Sequence, residues 1–573
     1  MRIGIVRFYL SSIIAVSAIM NFAVTQKNII SWLTAGIGKI QNSDAPVLLY
    51  TFPATEENKL DGFEYPNRMQ KLTTVKIRAA RGEYEPFTFI LVPQRKLESV
   101  KVTWSQFTSG SNSLPLDILD VSVVKAWYQS GVKSNQTNQR LLVGELLIKN
   151  DKLVQTDYES KSNYLLVKNS SGTSEYINIS DPSARFPDNV VIEDSDELKP
   201  FTVEEKIYKQ LWLTFHIPDN AVSGLYRGRI KIKYGNDNTL SVPVELTVLP
   251  FDLNESRIMY SIYYHGCLRS SKLRAFHCED KTEKQLEIEL RDMKEHGIMY
   301  PNNYQDADLL ARNLGIRNKV GLPGDYMFST LLNWFSVKEG EIQDTDKLKE
   351  RIAAFNSVLS KHGYRNLHIY GIDEASGRKL AAQRPAWSAA RASGAGIFVA
   401  CYHDAFDIVG DILDVAVMFG ELNPSQARKY HSRGKKIFSY SNPQVGQENP
   451  EVYRRNFGIA LWQAGYDGAM DYAYQKNYNS IWNDFDNKRY REETFTYPLS
   501  DGLISTIQWE GFREGVDDMR YLSTLLDMID KLKSRGRDVT AAERFVSSVD
   551  TSGDLDKLRS EIIAQILKLM KQK

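Results

Sequence analysis

The chain has 573 residues, too many for one compact core, so two or three domains are expected. Its 72 Lys and Arg nearly balance its 71 Asp and Glu, giving a formal net charge of +1. This balance excludes a global field that would recruit nucleic acid or an anionic membrane, and it favours a neutral or small substrate.

The N-terminus predicts export. Arg2 and Arg7 precede a mostly apolar stretch, residues 8–24, as in a signal peptide. We assign residues 1–25 to this segment and expect a periplasmic, extracellular or cell-surface protein. An uncleaved anchor is the alternative, because the stretch approaches the roughly 18 to 20 residues that span a bilayer. Membrane contact is expected only through this segment.

Residues 45–253 predict an antiparallel β-sandwich. Short runs that alternate apolar and polar residues are separated by turns rich in Gly, Asn, Asp and Ser. Residues 224–234 and 240–249 have the pattern of a closing hairpin.

After residue 253 the pattern changes to strand followed by helix, which predicts a (β/α)8 barrel over residues 257–535. The chain is thus expected to be a multidomain β plus α/β protein, with a helical C-terminal tail at 536–573. The predicted strands are 259–266, 298–304, 367–374, 397–403, 415–420, 436–440 and 468–474, with room for an eighth in 306–337. The predicted helices are 283–296, 344–362, 377–393, 424–434, 450–464, 515–535 and 555–572.

The sequence offers little for a metal or cofactor. Cys267, Cys278 and Cys401 lack paired ligand spacing, and the eight His residues show no HxxxH or HxH pattern. We expect free thiols, with a single Cys267–Cys278 bridge as the alternative. No metal and no cofactor are predicted.

The most informative segment is residues 366–374 (NLHIYGIDE), an apolar strand that ends in Asp373 and Glu374. Carboxylates are costly to bury without partners, so a pair at the carboxyl end of a barrel strand indicates a site. Capping of the next helix is the alternative role. Other strand ends carry polar or aromatic residues suited to a polyol ligand: Tyr264, His265, Asn302, His403, Glu421, Tyr440, Asn442, Tyr472 and Tyr474.

The adjacency of the two carboxylates constrains the mechanism. Most glycosidases place two carboxyl groups on either side of the scissile bond, about 5 to 9.5 Å apart, and sequence neighbours suit this poorly. They suit a mechanism in which the 2-acetamido oxygen of the substrate attacks the anomeric carbon. One carboxylate then orients the amide and the other protonates the leaving oxygen. The pair therefore predicts a 2-acetamido sugar as substrate.

The sequence resembles a known family, glycoside hydrolase family 123. The resemblance rests on the end of the sandwich, the Asp373–Glu374 strand, the strand that ends at Tyr440, and residues 507–521 (IQWEGFREGVDDMRY). It implies an exo-acting β-N-acetylgalactosaminidase with a β-sandwich before a (β/α)8 barrel. In that scheme Asp373 stabilises the oxazolinium, and Glu374 is general acid and then base.

The resemblance also assigns supporting roles. Tyr440 or Tyr472 would donate to the acetamido oxygen, and Trp509 would support the pocket. The sequence departs from the family in having Ala375 after the acid pair and Tyr472 where an aromatic of another type is expected, which bears on the identity of the sugar. Trp509, with the neighbouring Arg and Glu, also suits a structural role at the start of a helix, and we favour that interpretation.

The expected function is an exported retaining exo-β-N-acetylhexosaminidase that acts at glycan non-reducing ends. Two alternatives stay open. One is a carbohydrate-binding surface protein whose barrel has lost catalysis. The other is a conventional glycosidase acting on neutral sugars, with Glu421 or Asp404 as partner to Glu374.

Overall fold

The computed structural model describes residues 46–56, 66, 68–131, 139–205, 207–269, 275–330 and 344–572. The predicted export segment, residues 1–25, lies outside these ranges. Within them, no helix is both long enough and apolar enough to cross a membrane.

The N-terminal part is built from strands. In chain order they are β1 Val47–Thr51, β2 Gln70–Lys71, β3 Val75–Arg81, β4 Tyr84–Pro93, β5 Leu97–Trp104, β6 Thr108–Ser109, β7 Asn112–Ser113, β8 Leu119–Gln129, β9 Leu141–Ile148, β10 Val154–Asp157, β11 Ser162–Lys168, β12 Ser174–Asn178, β13 Phe201–Val203, β14 Lys209–His216, β15 Gly224–Tyr234 and β16 Asn238–Asp252. The alternation in β15 is regular: Ile230 and Ile232 are buried, whereas Lys231 and Lys233 are exposed. One face of this strand therefore packs on a core and the other meets solvent.

Two sheets enclose the N-terminal core. In the described residues, one contains β13, β5, β15, β16 and β3, and the other runs β2-β1-β4-β14-β8-β9 before it continues into strands from the end of the chain. β15 and β16 form the predicted hairpin. Pairing is mostly antiparallel, but β16 and β3 are parallel. A smaller sheet, β10-β11-β12, lies beside them.

The second part alternates strands and helices. Its strands are β17 Met259–Ile262, β18 Cys267–Leu268, β19 Asp280–Lys281, β20 Met327–Ser329, β21 Leu367–Tyr370, β22 Gly396–Cys401, β23 Val415–Phe419, β24 Lys436–Tyr440, β25 Gly468–Asp471, β26 Gln475–Lys476, β27 Glu493–Thr494, β28 Thr496–Pro498 and β29 Leu503–Thr506. Its helices are α1 Glu283–Glu295, α2 Ala307–Val320, α3 Thr345–Lys361, α4 Gly377–Ala381, α5 Arg384–Ala392, α6 Ala405–Val409, α7 Pro424–His431, α8 Pro450–Asn456, α9 Ile459–Gln463, α10 Ile507–Ser534, α11 Thr540–Ser547 and α12 Leu555–Met570.

In the described residues, seven parallel strands form one sheet in the order β17-β25-β24-β23-β22-β21-β20. Such strands are buried on both faces, which explains the continuous apolar runs of β22 and β23. The segment 300–303 lies between the two edge strands. Asn302 N donates to Ile262 O on β17, and Asn303 N donates to Phe328 O on β20.

Sequence and structure differ in several places in this region. The predicted helices 377–393 and 450–464 are each divided in two, as α4 with α5 and α8 with α9, and α10 begins at Ile507 rather than at 515. The predicted strand 298–304 has only the short ladder just described, with a single bridge between Asn303 and Ser329. The interval 306–337 contains β20, as expected of an eighth strand, and also helix α2, which was not predicted. The three cysteines are free and buried, so Cys267 and Cys278 are not bridged.

The chain returns to the N-terminal sheet after the last parallel strand. β29 pairs with β9, with Ser505 opposite Leu147, and β28 pairs with β29. Residues 496–506 lie inside the interval predicted as barrel, 257–535, but they complete the sandwich. The boundary between the two parts is therefore crossed more than once.

Buried charges join the two parts. Arg559 on α12 contacts Glu85 of β4 at 3.0 Å, Glu514 of α10 at 2.9 Å and Asp518 of α10 at 2.5 Å. Arg454 on α8 also contacts Asp518, at 2.7 Å. These contacts link a sandwich strand to three helices of the second part.

The network also includes Glu83, 3.7 Å from Arg559, so carboxylates outnumber the arginines that face them. Three carboxylates are strongly affected, and burial raises the pKa of Glu85 well above its usual range. Burial raises the pKa of Glu83 to about 8 and that of Glu514 to about 7, because water no longer solvates the ionised form; Arg559 opposes both shifts. The native protein therefore holds protons here that the unfolded chain would release.

Candidate active site

The two adjacent carboxylates follow β21, which ends at Tyr370. Asp373 is exposed and Glu374 is partly buried. Glu374 has a φ of +46°, in the left-handed region, and its N–H donates to Ala400 O of β22 at 3.1 Å. A regular strand would direct the two side chains to opposite faces. The left-handed turn breaks that alternation where the strand has already ended.

Two tyrosine hydroxyls in series orient the Asp373 carboxylate. Tyr370 Oη donates to Asp373 Oδ1 at 2.6 Å, and Tyr263 Oη donates to Tyr370 Oη at 2.9 Å. Partial desolvation of its carboxyl group raises the pKa of Asp373, the Tyr370 hydrogen bond lowers it, and the negative charge of Glu374 raises it further. The chain of hydroxyls fixes the orientation of this carboxylate.

Glu374 has two tyrosine donors of its own. Tyr402 Oη donates to Oε2 at 2.6 Å, and Tyr440 Oη donates to Oε1 at 3.2 Å. The first bond raises the pKa of Tyr402 to about 12, because it stabilises the neutral phenol beside a carboxylate. Each oxygen of Glu374 is therefore positioned from a different strand end, by Tyr402 directly after β22 and by Tyr440, the last residue of β24.

Aromatic rings link the two carboxylates into one site. The Tyr263 ring lies 5.8 Å from Tyr370, 5.9 Å from Tyr440 and 5.4 Å from Tyr472 between centroids. Tyr472 in turn meets His265 edge to face at 5.4 Å. Burial lowers the pKa of His265 to about 3, so the imidazole is neutral near pH 7.

The backbone just before Asp373 and Glu374 packs against Gln383 and helix α5. Gln383 Oε1 accepts from Ile372 N at 2.6 Å. A Cβ on Gly371 would stand 2.6 Å from Trp387 and 3.0 Å from Gln383 Oε1, closer than real contacts allow. Glycine is needed here because the turn is packed directly against α5 and its N-terminal residue.

Three predicted site residues have their side chains elsewhere. Tyr264 is buried and donates to Glu289 of α1, and Tyr474 donates to Asp292 of the same helix. Trp509 is fully buried, and its indole N–H also donates to Asp292. These three residues pack between α1 and α10 and do not line the strand-end face.

The remaining predicted residues fall into three groups. Asn302 is fully buried in the interior of the parallel sheet, near Met470, and Asn442 accepts from Asn456 of α8. His403 and Glu421 are exposed directly after β22 and β23. Those grouped with the carboxylates are Tyr440, Tyr472 and His265.

Sequence reasoning missed Tyr263, Tyr370 and Tyr402. The period of two along β17 was a usable signal, since it places Tyr263 and His265 on one face and Tyr264 on the other. The sequence offered no comparable indication for Tyr370 and Tyr402, because their contacts with Asp373 and Glu374 depend on how the chain folds at the strand ends. No group of three or more His, Cys, Asp or Glu residues in the described ranges is arranged to hold a metal ion.

The family model described as the glycoside hydrolase 123 catalytic domain matches residues 328–525, which include both carboxylates and four of their tyrosine neighbours. A comparison with curated proteins found no match.

Among solved structures, a family 123 glycoside hydrolase from Clostridium perfringens, described in terms of glycolipid glycan hydrolysis, is similar in fold. Its TM-score is 0.65 at 11% identity, covering 92% of this chain and 100% of that one. A family 5 xyloglucanase from Bacteroides ovatus has a TM-score of 0.27 at 8% identity, covering 78% and 98%.

Proposed function

We propose that this chain is a retaining exo-β-N-acetylhexosaminidase of the family 123 type, an enzyme that acts on glycans, because the model of that family's catalytic domain matches residues 328–525. The proposed reaction releases β-linked N-acetylgalactosamine from glycan non-reducing ends by substrate-assisted catalysis. The observation that carries this proposal is the adjacent pair Asp373 and Glu374, oriented separately by two sets of tyrosines. We also propose that the protein is exported, on the basis of residues 1–25.

The proposal includes the architecture that positions the site. The hydrogen bonds of segment 300–303 to both edge strands support an eighth, very short strand that closes the seven-stranded sheet into a (β/α)8 barrel. In such barrels the catalytic groups stand at the carboxyl ends of the strands, where Asp373 and Glu374 follow β21.

In the first proposed step, Asp373 accepts the acetamido N–H and the acetamido oxygen attacks the anomeric carbon. Glu374 gives its proton to the glycosidic oxygen as the C–O bond breaks, which leaves an oxazolinium ion and a free alcohol. The ionised Asp373 stabilises the positive charge that develops on the ring.

In the second step, Glu374 removes a proton from water, whose oxygen attacks the anomeric carbon and reopens the ring. Two displacements at one carbon give retention of configuration. Tyr440 already donates to Glu374, whereas Tyr472 lies beside Tyr263 on the Asp373 side. We therefore assign the donor to the acetamido oxygen to Tyr472.

The test uses aryl β-glycosides of N-acetylgalactosamine, N-acetylglucosamine, galactose and glucose, with the full-length protein. Hydrolysis is expected only for the two acetamido sugars, with inhibition by an N-acetyl thiazoline analogue. Cleavage of plain β-galactosides would refute the assisted mechanism.

Variants separate the roles of the carboxylates. Glu374→Gln should lower kcat/KM by about 10²- to 10⁴-fold on substrates with poor leaving groups and much less on activated ones, because acid catalysis matters less when the leaving oxygen is already acidic. Glu421→Gln is the matched comparison, since Glu421 is an exposed carboxylate at the next strand end but one. Loss of activity in Glu421→Gln equal to that in Glu374→Gln would instead support a conventional two-carboxylate mechanism.

A further inference from the structure

Phe419 is an exposed aromatic residue at the edge of the candidate site. It is the last residue of β23, and 40% of its surface is accessible. The other exposed large apolar side chains of the described residues lie in the N-terminal part: Leu116, Tyr158, Tyr176 and Val222. Isolated exposed apolar residues are common, so exposure alone assigns no role to Phe419. Its position relative to the two carboxylates is the informative feature.

The register of the parallel strands places Phe419 on the face of the carboxylates. Phe419 and Tyr440 are direct partners between β23 and β24, and partners in register point to the same face. Tyr440 Oη reaches Glu374 on that face. Met418 pairs with Cys401 of β22, so Tyr402 stands beside Phe419 on the other side.

Ring contacts agree with the register. The Phe419 ring meets Tyr402 at 5.4 Å and Tyr440 at 6.0 Å between centroids, both edge to face. These are the two tyrosines that donate to Glu374. Edge-to-face packing against both tyrosines orients the Phe419 ring, and 40% of its surface stays accessible.

These contacts indicate on which side of Glu374 each part of a substrate would lie. Asp373 is held by Tyr370 and Tyr263, on the side where the sugar to be released would bind. Glu374 lies between that side and Phe419. A group that leaves from the oxygen protonated by Glu374 must extend away from the released sugar, past Tyr402 and Tyr440, towards Phe419.

We propose that Phe419 is the stacking platform of the leaving-group subsite, and that it selects substrates in which the N-acetylhexosamine is β-linked to another pyranose. This inference rests on the proposed role of Glu374 as the acid. One face of a pyranose ring presents several C–H groups, which pack on an aromatic face and remove apolar surface from water. Neither a small leaving group nor an ion would use such a platform.

The experiment compares two donors that share N-acetylgalactosamine and differ only in what leaves. One is the β-linked disaccharide with galactose, and the other is the glycosyl fluoride, whose leaving group makes no contact with a platform. Steady-state kinetics are measured for the wild type, Phe419→Ala and Phe419→Trp, which keeps an aromatic face.

Phe419→Ala should lower kcat/KM for the disaccharide about ten-fold, in line with truncation of a buried aromatic contact, and leave hydrolysis of the fluoride within about two-fold. Phe419→Trp should retain the disaccharide activity. Unchanged fluoride hydrolysis also demonstrates that the variant is folded.

Equal losses on both donors, or no loss on the disaccharide, would overturn the subsite while leaving the proposed function intact. A wild type that hydrolyses neither donor would refute the proposed function, and the subsite with it.

Discussion

Replacement of Arg559 by Met should destabilise the protein by removing the cation that faces Glu85, Glu514 and Asp518. Methionine keeps most of the volume, and Asp518 keeps its contact with Arg454, so the main cost is that Glu85 and Glu514 lose their cation, about 3 to 5 kcal/mol. An unfolding entropy of about 2.1 cal/mol/K per residue gives about 1.2 kcal/mol/K for 573 residues. The Tm should therefore fall by about 2.5 to 4 °C.

The loss should depend on pH. The raised pKa values of Glu83 and Glu514 mean that the native state binds more protons than the unfolded chain above the ordinary glutamate pKa and up to about pH 7 to 8. Stability contributed by these groups is thus highest at low pH and declines as pH rises through that window. Without Arg559 the decline is steeper, so the Tm difference should be larger at pH 8 than at pH 5.5.

Differential scanning calorimetry at the two pH values measures both effects. Lys557→Ala is the matched control, because Lys557 lies on the same helix with its side chain 77% exposed, and substitutions of that kind change stability by less than about 0.5 kcal/mol. A Tm within 1 °C of the wild type, or a loss that is the same at pH 5.5 and pH 8, would refute the reasoning.

Two further predictions concern the site and its support. Tyr370→Phe removes the hydrogen bond that lowers the pKa of Asp373, so the acid limb of the pH profile of kcat/KM should move to higher pH; an unchanged limb would mean that Asp373 does not act as a carboxylate. Trp509→Phe removes the bond to Asp292 and part of a buried ring, so it should cost about 1 to 3 kcal/mol of stability without changing KM. Calorimetry and steady-state kinetics check the second prediction, and a raised KM in a fully folded variant would return Trp509 to the substrate pocket.

The position of the acid pair could be predicted because it depends on local pattern. An apolar run that ends in two carboxylates predicts a buried strand followed by a polar strand end. The structure has this arrangement, with Asp373 and Glu374 shortly after β21. The left-handed backbone of Glu374 could not be predicted, since glutamate has no preference for that region. In this conformation its N–H donates to Ala400 O on the next strand, a contact with a distant part of the chain that the local pattern does not reveal.

Residues 507–521 show the limit of motif reasoning. Their clustered Trp, Arg and Glu residues are as conspicuous in the sequence as the acid pair. In the structure Thr506 caps the helix by accepting from Trp509 N, Arg513 pairs with Glu510 one turn away, and Glu514 joins the ionic network. The sequence favoured a structural role at the start of a helix, but only the fold reveals which distant residues the helix holds.

Because β28 and β29 return to the N-terminal sheet, the sandwich and the catalytic part are expected to evolve together. β29 covers the edge of β9, so a sandwich cut off at its apparent end would expose an unpaired strand of backbone donors and acceptors, the usual starting point of aggregation. A catalytic part without the sandwich would carry a hairpin with nothing to pair with. Recombination that exchanges whole segments of chain cannot move either part alone. Sandwich and catalytic part are therefore expected to diverge as one evolutionary unit, with new specificity arising in the loops at the strand ends.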